Sequence, residues 1–184
     1  MAQFSAQDNI AFGNYLIRNE LYNDAIVFLN SKEYKHNTQD PNYLFIKGWA
    51  FYNLKQLDSS ATFLAKVPST AEFYHKARFF SALSYAHIGN YSNANETINQ
   101  TDSLTEELQE LANLELAGVA LLARDLDSFK QLEASFTHQN YNLAEHQETL
   151  SQLSKDIANF KPKSPLLAGT LSAIVPGLGK IYAG

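Results

Sequence analysis

Few residues of this 184-residue chain have the types and spacing that catalysis requires. The segment Gly177-Leu178-Gly179-Lys180 contains the glycine-lysine pair of a phosphate-binding loop. That loop also needs a glycine five residues before the second glycine and a Ser or Thr after the lysine. The chain has Ile174 and Ile181 at those positions, so we predict no nucleotide binding.

Metal and thiol chemistry have no recognisable basis in the sequence. The chain has no cysteine, which removes thiolate nucleophiles, disulfides and zinc-thiolate sites. Its histidines lack the short spacing of metal ligands. They are His36, His75, His87, His138 and His146. We therefore expect no metal and no cofactor.

Hydrolytic chemistry is equally unsupported. No Gly-x-Ser-x-Gly nucleophile motif occurs. The carboxylate pair Glu106-Glu107 falls in the first turn of a predicted helix, where the helix dipole favours acidic residues. We predict that the protein is not an enzyme.

Composition indicates a globular protein of ordinary type. Hydrophobic residues make up 45% and charged residues 18%, with a net charge of −5. The densest basic run is only Lys161-Pro162-Lys163, whereas nucleic-acid binding requires a basic stripe. We expect no nucleic-acid partner.

The elements that position any site are predicted to be helices. Asp40-Pro41 has the N-cap and first-turn proline of a helix start, and both Ser69-x-x-Glu72 and Ser103-x-x-Glu106 match the capping box. No Asn-Gly or Asp-Gly hairpin signal appears. The predicted helices span 5–19, 23–34, 41–54, 58–66, 70–88, 92–100, 104–123, 126–137 and 142–160.

One pattern recurs three times along the first hundred residues. Its members are Gly13, Leu16, Tyr22, Ala25 and Leu29, then Gly48, Phe51, Leu57, Ser60 and Leu64, then Ala82, Tyr85, Tyr91, Ala94 and Ile98. The sets are 35 (57 − 22) and 34 (91 − 57) residues apart. We expect the small residues to lie where two helices cross and the large ones to fill the space between units.

The pattern changes after the third unit. Phe129 stands where a small residue is expected, so 104–137 is predicted to be a hairpin with altered crossing geometry. The following amphipathic helix, with apolar residues from Leu143 to Phe160, is predicted to cap the array.

Residues 5–100 resemble the tetratricopeptide repeat (TPR) family at these motif positions. The resemblance implies an all-α, right-handed α-solenoid over 1–160, and a concave groove that binds a peptide or partner protein of unknown identity. The groove positions carried over from the family are Asn14, Ile17, Arg18, Phe45, Trp49, Asn53, Lys76, Phe79, Leu83 and His87.

The family's clamp for a terminal carboxylate is incomplete in this chain. Asn14 and Lys76 match it, but Ile10, Ile46 and Phe80 replace its other polar members. The groove is better suited to an apolar or aromatic anchor. Trp49, the only tryptophan, either contacts that anchor or packs against the neighbouring repeat.

A short hydrophobic tail follows the repeats. Residues 161–165 are predicted to be a linker, and no charged residue occurs from 164 to 179. The tail, 166–184, is interpreted either as the first leg of a membrane-associated hairpin or as a helix docked on the solenoid. Its predicted membrane-associated residues are Leu166, Leu167, Leu171, Ile174, Val175, Pro176, Gly177, Gly179 and Tyr182.

The tail also resembles the Ser-Pro…Pro-Gly-x-Gly-x-x-Tyr-x-Gly element of bacterial membrane-associated TPR proteins. That resemblance implies a bacterial envelope protein on the periplasmic face of a membrane, with a second apolar leg expected beyond Gly184. The N-terminus lacks an intact signal peptide. Either the protein is cytoplasmic, or Met1 precedes a mature chain beginning near Ala2 or Gln3.

Two functions follow as expectations. The first is a non-catalytic scaffold that binds a partner in the groove and is tethered by its tail. The second is an assembly subunit of a membrane complex, in which the hydrophobic element is primary. The oligomeric state is left open.

Overall fold

The computed structural model describes residues 5–31 and 39–159. In these two ranges the chain forms α-helices and no β-strand. The helices are α1 (Ala6–Arg18), α2 (Tyr22–Leu29), α3 (Pro41–Asn53), α4 (Leu57–Ala65), α5 (Tyr74–His87), α6 (Tyr91–Asn99), α7 (Glu106–Leu122), α8 (Leu126–Glu133) and α9 (Tyr141–Asn159). The all-α prediction is confirmed over these residues, and every predicted helix there has an observed counterpart.

Local capping explains several helix starts. The Asp40 carboxylate accepts hydrogen bonds from the backbone N–H groups of Asn42 and Tyr43, and Pro41 follows as predicted. An unpredicted capping box joins Ser5 and Asp8 at the start of α1. These side chains satisfy N–H groups that would otherwise lack partners in the first turn.

Two predicted capping boxes are wrong. The cap of α7 is Thr105, because Ser103 has a left-handed backbone (φ 58) in place of the extended one an N-cap needs. Helix α5 begins four residues later than predicted, at Tyr74, because successive turns from Pro68 occupy the intervening segment. Helix α2 ends at Leu29, before the predicted end at 34.

The helices form two layers. Each odd-numbered helix contacts the next odd-numbered one, whereas no two even-numbered helices contact each other extensively in the described residues. Each even-numbered helix packs between two consecutive odd-numbered helices. The array is therefore solenoid-like, with α1, α3, α5, α7 and α9 as its inner layer.

The turn within each hairpin repeats with the period of the sequence. Glu20, Lys55, Gly89 and Arg124 all have positive φ, between 58° and 79°, and lie 35, 34 and 35 residues apart. In each turn the N–H of this residue donates to the backbone oxygen three residues earlier. The N–H of the next residue donates to the backbone oxygen five residues earlier. This is the Schellman arrangement. The fourth hairpin thus keeps the turn geometry although its side chains depart from the pattern.

Small residues permit close helix packing at some of the predicted positions. A Cβ at Gly48 would lie 2.6 Å from Leu64 Cγ, so α3 and α4 need glycine there. A Cβ at Gly13 would make only ordinary contact with Ile46 of α3, so alanine would also fit at that position. At Ser60 the predicted small residue is fully buried, and its hydroxyl lies 3.1 Å from that of Ser84.

The fourth hairpin has a large side chain at the position where the earlier hairpins have a small one. Phe129 is fully buried and packs against Ala117, Ala120 and Leu121 of α7. A Cβ at Gly118 would meet no atom within 4 Å. The large side chain of α8 is thus accommodated by small residues of α7, and open space remains beside Gly118.

Helix α9 packs against both α7 and α8. Its buried Gln147 side chain accepts a hydrogen bond from the His138 N–H at 3.0 Å, which ties the helix to the preceding loop. Beyond α9, the linker and the tail at 161–184 lie outside the described residues.

Candidate functional site

Five aromatic side chains meet on the inner-layer helices α3 and α5 and at the N-cap of α5. We call Phe45, Trp49, Tyr52, Phe73 and Phe80 the aromatic cluster. Trp49 stacks on Phe45 at 6.1 Å and on Tyr52 at 5.8 Å between ring centroids, and its edge contact with Phe80 is 4.6 Å. Phe73 reaches Phe45 at 4.5 Å. These offset and edge geometries are the favourable ones for aromatic rings.

A cation lies over this cluster. The ammonium of Lys76 is 4.5 Å from the centroid of Trp49 and 5.8 Å from that of Phe45. Lys76 is exposed, so its charge remains available to solvent or to a ligand while its position is fixed by cation–π attraction.

Next to the cluster, three consecutive inner helices line an open cavity of about 320 Å³, which we call the inner cavity. Helices α5, α7 and α9 each contribute to its wall. The lining is aliphatic except for two side chains, Glu115 and His87. The lining residues are Leu83, Ala86, His87, Glu115, Gly118, Val119, Leu121, Leu122, Leu150, Leu153 and Ile157.

Glu115 is the unusual member of the lining. It is partly buried in the middle of α7 and makes no hydrogen bond or ion pair with any residue that the structure describes. Burial raises the pKa of Glu115 to about 7, because removal from water penalises the charged carboxylate. Near neutral pH it is therefore divided between its neutral and charged forms.

The aromatic cluster and the inner cavity are neighbours. Burial raises the pKa of Tyr52, and the charge of Glu115 raises it further. On α5, Lys76 above the cluster and Phe80 within it lie on the same helix face as two cavity residues. These are Leu83 and His87, and the successive spacings from Lys76 are four, three and four residues. The two regions form one inner surface with a lysine at one end and a glutamate at the other.

Several of the predicted groove residues come together on this surface. Phe45, Trp49 and Lys76 meet in the cluster, and Leu83 and His87 meet in the cavity. Of the two interpretations of Trp49, packing against the neighbouring repeat is seen directly in its contact with Phe80. A ligand contact stays a prediction, since the side chain is only partly buried.

Other predicted groove residues lie elsewhere or serve the fold. Phe79 is 7% exposed and packs with Ala82 and Ile98 in the core, so it faces away from the aromatic cluster. Ile17 packs against the core beside α2. Asn53 donates to the backbone oxygen of Trp49 at 2.9 Å. No described contact joins Asn14 or Arg18 to the cluster.

The sequence prediction missed the contributions of α7 and α9. It carried groove positions only through the third repeat, so it omitted Glu115 and Gly118 on α7 and the three residues of α9. A signal was present, because Glu115 is the only charged residue between Leu111 and Leu122. Tyr52 is also absent from the prediction, whereas Phe80 appears in it only as the replacement of a polar clamp residue.

Neither membrane spans nor metal clusters occur in the part of the chain that the structure describes. No helix within 5–31 or 39–159 is long and apolar enough to cross a bilayer. In those same ranges no group of three potential metal ligands comes together. All the residues predicted to associate with a membrane lie between 166 and 184, outside the described residues.

Comparisons with known proteins returned no match to a family model, to a curated protein or to a solved structure.

Proposed function

We propose that this protein is a non-catalytic scaffold, a right-handed TPR-like solenoid that binds a peptide segment of a partner protein along its inner surface. The observation that carries the proposal is the aromatic cluster with Lys76 above it. Buried aromatic anchors and cations dominate the energetics of many protein interfaces. The adjoining cavity offers room for apolar side chains of the same segment.

The binding experiment compares recovery of partner proteins by the intact chain and by variants of the inner surface. Lys76→Glu reverses an exposed charge and leaves the packed rings in place. The double variant Phe45→Ala/Trp49→Ala removes the anchor itself. We expect recovery to fall with both, while Val27→Ala, at a side chain 70% exposed on α2, serves as the matched outer-layer control.

Unchanged recovery with both inner variants, in proteins that circular dichroism shows to be folded, would contradict groove recognition. It would favour the alternative in which the protein is an assembly subunit and the hydrophobic tail makes the essential contact.

We further propose that residues 166–184 tether the scaffold to the periplasmic face of a bacterial membrane. The uncharged stretch from 164 to 179 supports this tether. In the full chain, Leu171→Asp/Ile174→Asp is expected to abolish flotation with vesicles of phosphatidylethanolamine and phosphatidylglycerol. Equal flotation of both chains would argue against insertion, and fractionation of cells would separate the periplasmic from the cytoplasmic alternative.

A further inference from the structure

The inner cavity contains one carboxyl group, that of Glu115, which has no partner among the described residues. Glu115 makes no hydrogen bond or ion pair with the described residues, although hydrogen bonds satisfy most buried polar groups in proteins. Other carboxylates of the chain are employed locally, such as Asp125, which accepts hydrogen bonds from Ser128 at the start of α8. Within 5–31 and 39–159, Glu115 accepts no comparable hydrogen bond.

The walls around Glu115 are open and apolar. Leu122 is 50% exposed and Leu153 is 44% exposed, so apolar surface at the cavity is accessible to solvent. Gly118 leaves the space beside it free, since a Cβ there would meet nothing within 4 Å. The cavity therefore presents aliphatic contact area around a single carboxylate.

We propose that the inner cavity binds a basic side chain of the partner peptide, a lysine or arginine flanked by apolar residues, whose charge pairs with Glu115. Charge complementarity supports this occupant: a cation is the only charge that gains from an unpaired carboxylate, and the apolar stem of Lys or Arg suits aliphatic walls. The flanking residues cover Leu122 and Leu153. This inference rests on the proposed function and specifies the sequence that the groove selects.

The geometry also gives the segment a direction. Lys76 lies over the aromatic cluster at one end of the inner surface, and Glu115 lies in the cavity at the other. The peptide residues that suit the position beside Lys76 are acidic or aromatic. The reverse orientation would place like charges together at Lys76.

The test begins with a random library of displayed peptides, selected in parallel on the full chain and on its Glu115→Gln variant. The amide is nearly the same size as the carboxyl group and is uncharged, so this variant removes the charge and keeps the shape. Glu107→Gln, at an exposed position on the same helix, is the matched control. Synthetic peptides from the selection are then titrated against each protein by Trp49 fluorescence and calorimetry.

We expect the selected peptides to share a Lys or Arg flanked by apolar residues. Their affinity should fall at least tenfold with Glu115→Gln and stay unchanged with Glu107→Gln. Gly118→Leu, which fills the cavity without a clash at Cβ, should weaken the same peptides. Replacing the basic residue of the peptide by norleucine should abolish the difference between wild type and Glu115→Gln.

The affinity should also depend on pH. With the pKa of Glu115 at about 7, a cation that requires the carboxylate binds roughly tenfold more weakly at pH 6 than at pH 8. His87 from α5 and Tyr52 from α3 are the titratable groups that face Glu115, and α9 contributes only aliphatic side chains to the cavity. Because His87 is a second titratable group in the lining, the dependence must persist in His87→Gln and vanish in His87→Gln/Glu115→Gln.

The remaining outcomes each overturn the inference in a different way. Peptides that bind without a basic residue, and equally well to Glu115→Gln, would refute the role of Glu115 while groove recognition stands. Failure to select any peptide would refute groove recognition as well. Selection that succeeds only on the full-length variant Lys161→Gln/Lys163→Gln would make the protein's own tail the occupant.

Discussion

Two glycines show how much of this molecule is decided by single residues. Gly48 is required because α3 and α4 approach so closely that a methyl group would collide with Leu64. Gly118 has free space beside it and borders the inner cavity. Glycine therefore permits close helix packing at position 48, whereas at position 118 it leaves space in the cavity free.

Replacing each glycine by alanine should have opposite effects on stability. Gly48→Ala forces a buried leucine to move, which costs about 1–3 kcal/mol of unfolding free energy. Gly118→Ala lies within a helix and meets no atom, so it should gain about 0.5–1 kcal/mol. Urea denaturation of the two variants provides the comparison. A loss of stability at Gly118 would mean that the cavity is narrower than the structure has it.

Glu115 makes the stability of the free protein depend on pH. Its folded pKa of about 7 exceeds the ordinary value of 4.5, so between these values the unfolded chain releases a proton that the folded chain retains. The unfolding free energy should fall as pH rises from about 4.5 to 7, by at most about 3 kcal/mol. Glu115→Gln should remove that fall, as measured by denaturation at several pH values. A fall of equal size in the variant would assign it to other groups.

In each helical hairpin the two helices are joined by the same left-handed turn. At Glu20, Lys55 and Arg124 a side chain occupies a backbone conformation that favours glycine, and only Gly89 fits it without strain. Each turn nevertheless makes the same pair of backbone hydrogen bonds. The turn is therefore set by the packing of the two helices it joins more than by its own residue.

Exchange of residues at this turn should shift stability in a known direction. Arg124→Gly is expected to stabilise the fold by about 0.5–1 kcal/mol, and Gly89→Ala to destabilise it by about 1 kcal/mol. Arg124→Ala keeps the strained backbone and removes only the side chain, so it is the control. Thermal denaturation that ranks Arg124→Ala level with Arg124→Gly would rule out backbone strain as the cause.

At this scale the sequence predicts a great deal. Periodicity located the helices because apolar positions recur where each helix meets its neighbours. The capping signals at Ser69 and Ser103 failed, since a capping box is a local pattern and does not register the turns that precede a helix. The aromatic cluster was partly predicted. The cavity was not, because α7 and α9 supply most of its lining and their side chains no longer follow the repeat.

Contacts between sequence neighbours dominate the molecule as a whole. Each helix packs against those that follow within the next hairpin, and the described residues of α1 and α2 make no extensive contact with α7, α8 or α9. Stability in such an array is approximately a sum over units and their interfaces. A destabilising substitution at one end of the array should therefore lower the stability of the helices near it and leave distant helices unchanged.

Phe129→Ala tests this locality. Truncation of a fully buried phenylalanine should cost about 3–5 kcal/mol. We expect hydrogen exchange to accelerate throughout α7, α8 and α9 and to change little in α3 and α4. Leu29→Ala, at the opposite end, should produce the reverse pattern. Uniform acceleration across the chain in both variants would show instead that the array unfolds as one unit.

The four matching turns at residues 20, 55, 89 and 124 have one more consequence. Since each joins its two helices with the same backbone path, they are equivalent joints at which the chain can be lengthened. A second copy of residues 90–124 spliced after Arg124 would preserve the joint on both sides and add one step to the array. The length of the helical array can thus change in whole hairpins of about 35 residues, as a duplication within the gene would produce.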